Sequence, residues 1–124
     1  MKRKLVLSTA FLLTAVSNIL VAPSVSADTL ETKSYIVIVN VQCEEGEVTC
    51  ENVLYSGESK ISGNKIELVG KTVHSICADG VTPCMFRGYS FKNGDVNYFV
   101  SVFGDLEVWD AKGNVLVDES GEWK

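Results

Sequence analysis

Met85-Phe86-Arg87-Gly88-Tyr89-Ser90-Phe91-Lys92-Asn93-Gly94-Asp95-Val96-Asn97-Tyr98-Phe99-Val100-Ser101-Val102-Phe103 is the stretch on which the fold turns. Two runs rich in aromatic and β-branched residues flank Asn93-Gly94, a pair that tolerates the positive φ angles of a tight hairpin. The stretch therefore predicts one strand over Met85 to Lys92 and another over Val96 to Phe103. The same grammar continues on both sides. Gly104-Asp105 turns into a strand at Leu106 to Asp110, Lys112-Gly113-Asn114 turns again, and Val115 to Glu119 closes the series. Upstream, Tyr35 to Val41 is a β-branched run that reads as a strand buried on both faces. A further strand runs from Thr49 to Lys60 through Val53 and Tyr55. After the turn at Ser62-Gly63-Asn64, Lys65 to Cys77 places Ile66 and Leu68 on one face. No segment repeats at helical spacing. The expectation is an all-β antiparallel meander of about seven strands, closed as a barrel or packed as a sandwich.

Eight of the ten aromatic residues after position 27 follow Cys84. In Tyr98 to Phe103 both faces are apolar, so this strand is expected to be covered on both sides. The alternative is an exposed aromatic patch for a partner.

All four cysteines lie in two segments with the spacing C-x2-G-x3-C: Cys43-Glu-Glu-Gly46-Glu-Val-Thr-Cys50 and Cys77-Ala-Asp-Gly80-Val-Thr-Pro-Cys84. Four cysteines allow three pairings. Gly46-Glu47 and Gly80-Val81 as two-residue turns would set Cys43 opposite Cys50 and Cys77 opposite Cys84. The shared glycine and rapid local closure favour these local pairs. Each such loop would contribute about 2.5 kcal/mol in the chain-entropy model, against about 3.6–4 for longer crossed loops. Thioredoxin-type redox sites need C-x-x-C, and zinc sites prefer short ligand spacings, so structural disulfides are expected. The two segments align at an offset of 34 residues, with Val39 on Val73 and Tyr55-Ser56 on Tyr89-Ser90. Duplication of a strand, cysteine loop, strand unit and convergence on one turn chemistry both account for this match.

The chain starts with Lys2, Arg3 and Lys4, continues through an apolar stretch from Leu5 to Val21, and reaches small residues at Val25-Ser26-Ala27. This is the three-part pattern of an export signal over 1–27, with cleavage expected after Ala27. Residues 28–124 then form one all-β domain, soluble and periplasmic or secreted, with no membrane insertion after removal of the signal. The leader holds three of the 11 basic residues, so eight remain against 16 acidic ones, a formal charge of −8. Such a surface disfavours nucleic acid and anionic membranes, which need clustered Lys and Arg, and favours a basic partner.

Catalytic signals are sparse. His74 is the single histidine and falls inside a strand, and Tyr55-Ser56-Gly57-Glu58-Ser59 is not a nucleophile elbow. Glu44, Glu45, Glu47 and Glu51 lack the alternating ligands of a calcium loop and read as a solvated tip. The chain is read as non-enzymatic, with no catalytic residue, metal or cofactor.

The run from Cys43 through Cys84 into Gly88-Tyr89-Ser90-Phe91-Lys92-Asn93-Gly94 resembles small uncharacterised exported proteins of Gram-negative bacteria with two C-x6-C pairs. In size, acidity, export and strand pattern the chain is also similar to periplasmic lysozyme inhibitors, small β-barrels that present a Ser-Gly-x-x-Tyr loop to the lysozyme cleft. That similarity implies partner contacts at Ser56, Gly57 and Lys60, where Ser56-Gly57-Glu58-Ser59-Lys60 carries lysine in place of the tyrosine. The functional expectation is a non-catalytic binding or inhibitor module for a basic protein such as a lysozyme. The alternative is a small-ligand carrier or an envelope structural component. An apolar lumen would indicate the carrier, and a packed core with a conspicuous surface loop would indicate protein recognition.

Overall fold

Eight antiparallel strands, each hydrogen-bonded to its sequence neighbour, close on themselves as an up-and-down barrel. The computed structural model describes residues 26–124. The strands are β1 (Ser26–Thr32), β2 (Tyr35–Val41), β3 (Val53–Ser59), β4 (Lys65–Ile76), β5 (Pro83–Asn93), β6 (Val96–Ser101), β7 (Asp105–Trp109) and β8 (Val115–Trp123). The seven strands read from the sequence correspond to β2 through β8. β1 is an addition, and it is the strand that closes the barrel, pairing with β2 along Ser26↔Val41 to Glu31↔Ile36 and with β8 at Leu30↔Trp123, Glu31↔Glu122 and Thr32↔Gly121. The export signal lies outside the described residues except for its last two positions. Cleavage after Ala27 would leave every β1–β8 pair in place.

An eight-stranded barrel is just wide enough for side chains to fill its interior. Leu30, Val37, Val39, Val53, Phe91, Val100 and Leu106 are fully buried there. Each contributes about 1.5–3 kcal/mol of transfer free energy. Alternation along the strands sends the intervening residues outward. In β2 this corrects the expectation of two-sided burial: Val37 and Val39 are buried, whereas Ile38 is exposed on the outer wall. The run from Tyr98 to Phe103 is covered on its inner face and in part on its outer one, where Phe99 is half-buried and Phe103 is exposed. Val100 is buried and Tyr98 packs against the core, but β6 ends at Ser101. The Ser101 hydroxyl accepts hydrogen bonds from the Phe103 and Asp105 amides at 3.1 and 3.0 Å, ending the strand in a turn with Phe103 at its tip.

Two inward-facing glycines make room for rings. A Cβ on Gly57 would lie 2.7 Å from the Tyr55 ring, and one on Gly70 would collide with the Ser90 carbonyl oxygen and then with the Phe91 ring. The aromatic rings thus cover backbone that carries no side chain of its own. Tyr55 and Phe91 in turn pack at 5.0 Å between ring centres, tilted by 54°.

Both disulfides are local, Cys43–Cys50 and Cys77–Cys84, with Cα separations of 5.8 and 5.1 Å. The loops are not the symmetric two-residue hairpins anticipated from the spacing. In the first, the Glu47 amide donates to the Glu44 carbonyl, so Gly46, at φ 95°, is the third residue of the turn. In the second, the Gly80 amide donates to the Cys77 carbonyl, so the matching glycine, at φ 81°, is the fourth. Positive φ is required in both places, but for different turns. The aligned segments nonetheless occupy equivalent places in successive hairpins, β2–β3 and β4–β5.

Candidate functional site

A meander places its connections alternately at two ends. One end carries the disulfide loops 42–52 and 77–82 together with the turn 102–104; the other carries 33–34, 60–64, 94–95 and 110–114.

At the disulfide end the first loop is tied down by its own sulfur bridge and by β4. The Cys50 amide donates to Thr72 Oγ1 at 2.9 Å, the Thr72 amide donates to the Cys50 carbonyl at 2.8 Å, and Cys50 is buried in the core. The second loop is braced from within by Asp79, whose carboxylate accepts the Val81 and Thr82 amides at 2.9 Å and the Thr82 hydroxyl. The hydroxyl first, then these amides, hold the Asp79 carboxyl down at about 2, so it is ionised at neutral pH. Rigid loops here present apolar tips to solvent. Val48, Val81 and Phe103 are 67%, 76% and 85% exposed, and Met85 is exposed beside them on β5. Glu44, Glu45, Glu47 and Glu51 share the first loop with Val48, Asp79 shares the second with Val81, and neither cysteine loop contains a lysine or arginine. Arg87 adjoins the Phe103 turn, its carbonyl accepting the Val102 amide at 3.0 Å.

The opposite end opens into the lumen. Tyr35, Tyr55, Gly57, Ile66, Tyr98, Leu106, Val108 and Val117 line a cleft of about 270 Å³, with Ser59, Ser62 and Asn64 also on its wall. Tyr55 and Tyr98 meet edge to face at 5.5 Å. Burial first, then the neighbouring phenols of Tyr98 and Tyr35, pushes the Tyr55 hydroxyl well above the ordinary phenol range.

The residues singled out from the lysozyme-inhibitor likeness do not form a loop. Ser56 and Gly57 sit in the middle of β3, paired with Ile38 and Val37 on one side and with Glu67 and Ile66 on the other. Ser56 is on the outer wall, whereas Gly57 faces the lumen under the Tyr55 ring. Lys60 does lie in a turn, but its ammonium is engaged with Glu31 Oε2 and the Thr32 carbonyl, each at 2.7 Å. A protruding Ser-Gly loop is incompatible with these pairings because both residues have strands on either side.

His74 Nε2 contacts Thr72 Oγ1 at 3.2 Å and its ring lies 5.5 Å from Phe86. Among the described residues no group of three or more His, Cys, Asp or Glu side chains is gathered at metal-binding distance. What sequence reading missed is the convergence of Tyr35, Tyr55 and Tyr98. The available signal was Gly57 within a strand, since a strand glycine often marks a close approach. Compared with protein-family models, curated proteins and solved structures, the chain matches none.

Proposed function

We propose that this protein is a non-catalytic recognition module of the periplasm or another oxidising space outside the cytoplasm, and that it binds a basic protein through its disulfide end. The observation that carries this reading is the combination at that end. Val48 and Val81 are exposed apolar tips on disulfide-held loops that carry five carboxylates, and Phe103 is a third on a turn held by the Ser101 hydroxyl. Rigid presentation lowers the ordering cost of association. Aromatic and aliphatic anchors supply desolvated contact, and carboxylates around them select a cationic rim and speed encounter. Two disulfides fit an oxidising compartment.

The contact surface proposed here is thus displaced from Ser56, Gly57 and Lys60 to the loops at 42–52, 77–82 and 102–104. Lysozymes remain the first partners to test, being basic proteins with a deep cleft. The experiment is titration of c-type, g-type and i-type lysozymes with peptidoglycan lysis as readout, alongside capture from periplasmic extract on immobilised protein. Inhibition, or capture of basic proteins that Phe103→Asp abolishes, is the expected result. Absence of both would end the reading and leave a small-ligand carrier or an envelope structural role.

A further inference from the structure

We propose that the open mouth opposite the disulfides is a binding site for a neutral, single-ring aromatic molecule bearing a hydrogen-bonding oxygen. The inference is independent of the protein-recognition reading, because it concerns the other end of the barrel. Its basis is the composition of the wall. Ile66, Leu106, Val108 and Val117 provide aliphatic surface, and the rings of Tyr35, Tyr55 and Tyr98 provide faces and edges for an aromatic guest. Among the described residues no hydrogen bond engages any of the three phenolic hydroxyls, and their placement on the wall offers them to a guest. Ser59, Ser62 and Asn64 add further polar groups.

Charge sets the class of ligand. No charged residue is among those lining the cleft. A carboxylate entering it would lose water without gaining a cation, and an ammonium would gain no carboxylate. The protein's net negative charge further opposes an anion. The Tyr55 phenol can donate to a carbonyl or hydroxyl oxygen. Size narrows the class again. At about 270 Å³ the cleft has room for one ring with a short substituent. Phe91, fully buried behind Tyr55, closes off deeper entry.

The probe is methyl 4-hydroxybenzoate, a neutral phenolic ester, titrated into the purified protein and followed by amide and aromatic chemical-shift changes. Saturable shifts are expected at residues around Tyr35, Ile66, Tyr98 and Val117, with a Kd of about 1 mM or tighter. Tyr35→Phe, Tyr55→Phe and Tyr98→Phe remove one hydroxyl each with little change of shape. At least one of them should weaken binding about three- to tenfold, the range for a neutral hydrogen bond. Ile66→Trp fills the cleft and should abolish binding. Anionic 4-hydroxybenzoate should bind at least about tenfold more weakly than the ester, reflecting desolvation without a counter-charge. The proposal is overturned if the folded wild type shows no saturable shifts at these residues, or if the anion binds as tightly as the ester. It is also overturned if all three tyrosine variants bind like wild type. Should Ile66→Trp fail to fold, the tyrosine variants and the anion comparison decide the matter.

Discussion

Glu119 on β8 accepts a 2.8 Å hydrogen bond from the hydroxyl of Thr32 on β1, 87 residues away in the chain, and the same carboxylate oxygen accepts the Ser34 amide at 2.9 Å. These bonds reinforce the barrel where its ladder is shortest, since β1 and β8 share only three residue pairs. Beside them, Glu31 draws in Lys60 at 2.7 Å from the β3–β4 turn and Lys124 at 2.9 Å from the end of β8. Closure of this barrel is therefore assisted by two carboxylates.

The seam should weaken in acid. The Glu31 carboxyl is held down at about 2 from 4.5, chiefly by its hydrogen bond to Lys60, then by Lys124 and by both ammonium charges. For Glu119 burial opposes ionisation, but hydrogen bonds from Thr32 and Ser34 outweigh it and the value is lowered. A carboxyl whose folded value is depressed stabilises the fold above its unfolded value, and that stability is lost as pH falls through the folded one. Thermal midpoints should thus be level above about pH 5 and fall between about 4.5 and 2. Glu119→Gln should cost about 1 kcal/mol at neutral pH, or about 4–8 °C, because the site is partly solvated. It and Glu31→Gln should both show a shallower acid decline. Wild-type acid slopes in both variants would place the sensitivity elsewhere.

Gly57 and Tyr55 should behave as one unit. A methyl at position 57 would meet the Tyr55 ring at 2.7 Å, and that ring is wedged between Phe91 and Tyr98. Gly57→Ala should destabilise by about 1–3 kcal/mol through overpacking. In the Tyr55→Leu background the same change should cost clearly less, giving a coupling energy of at least about 0.5 kcal/mol in a denaturant-based double-mutant cycle. Additive costs would mean that the ring yields freely.

Local signals and long-range ones separate cleanly along this chain. β2 through β8 were legible because alternation, β-branched runs and turns such as Asn93-Gly94 act within a few residues. β1 was not, since Ser26-Ala27-Asp28-Thr29-Leu30-Glu31-Thr32 has one large apolar residue and overlaps the export pattern. Its strand character comes from pairing with β2 and β8, which no local window contains. Two-sided burial at Ile38 failed for a related reason: β-branched composition reports pleated backbone, whereas burial depends on whether anything covers the outer wall. The cysteine pairing was readable from spacing, yet the turns within the loops differ because the glycine falls at different turn positions. The tyrosine mouth was least visible, as Tyr35, Tyr55 and Tyr98 come together only when the barrel closes.

The two disulfides should contribute unequally. Their sequence separations are both 7, so the loop-entropy contribution of about 2.5 kcal/mol is common to both. Cys50 is buried in the core and Cys43 packs against it, whereas Cys84 is exposed. Replacing Cys43 and Cys50 with alanine should cost more than replacing Cys77 and Cys84, by about 1–2 kcal/mol for the lost core packing. Urea unfolding of the two double variants measures this directly. Equal midpoints would show that the buried sulfur adds nothing beyond chain constraint.

For a basic partner found by capture or by lysozyme inhibition, the acidic and apolar parts of the disulfide end should affect different rate constants. Reversing Glu44, Glu47 and Glu51 to lysine removes attraction at a distance. Association should slow by about tenfold or more at low salt, with a smaller difference near 0.15 M, where the screening length is about 8 Å. Phe103→Ala should leave association nearly unchanged and speed dissociation by about tenfold or more, as removal of a central anchor does. Neither change touches the barrel interior, since Phe103 is 85% exposed and the three glutamates lie in the first loop. Thermal midpoints should therefore stay close to wild type, and surface plasmon resonance at two salt concentrations can separate the effects. If Phe103→Ala binds and dissociates like wild type while Ser56→Ala or Lys60→Ala weakens binding, the contact surface lies on the β3 side and the assignment to the disulfide end is wrong.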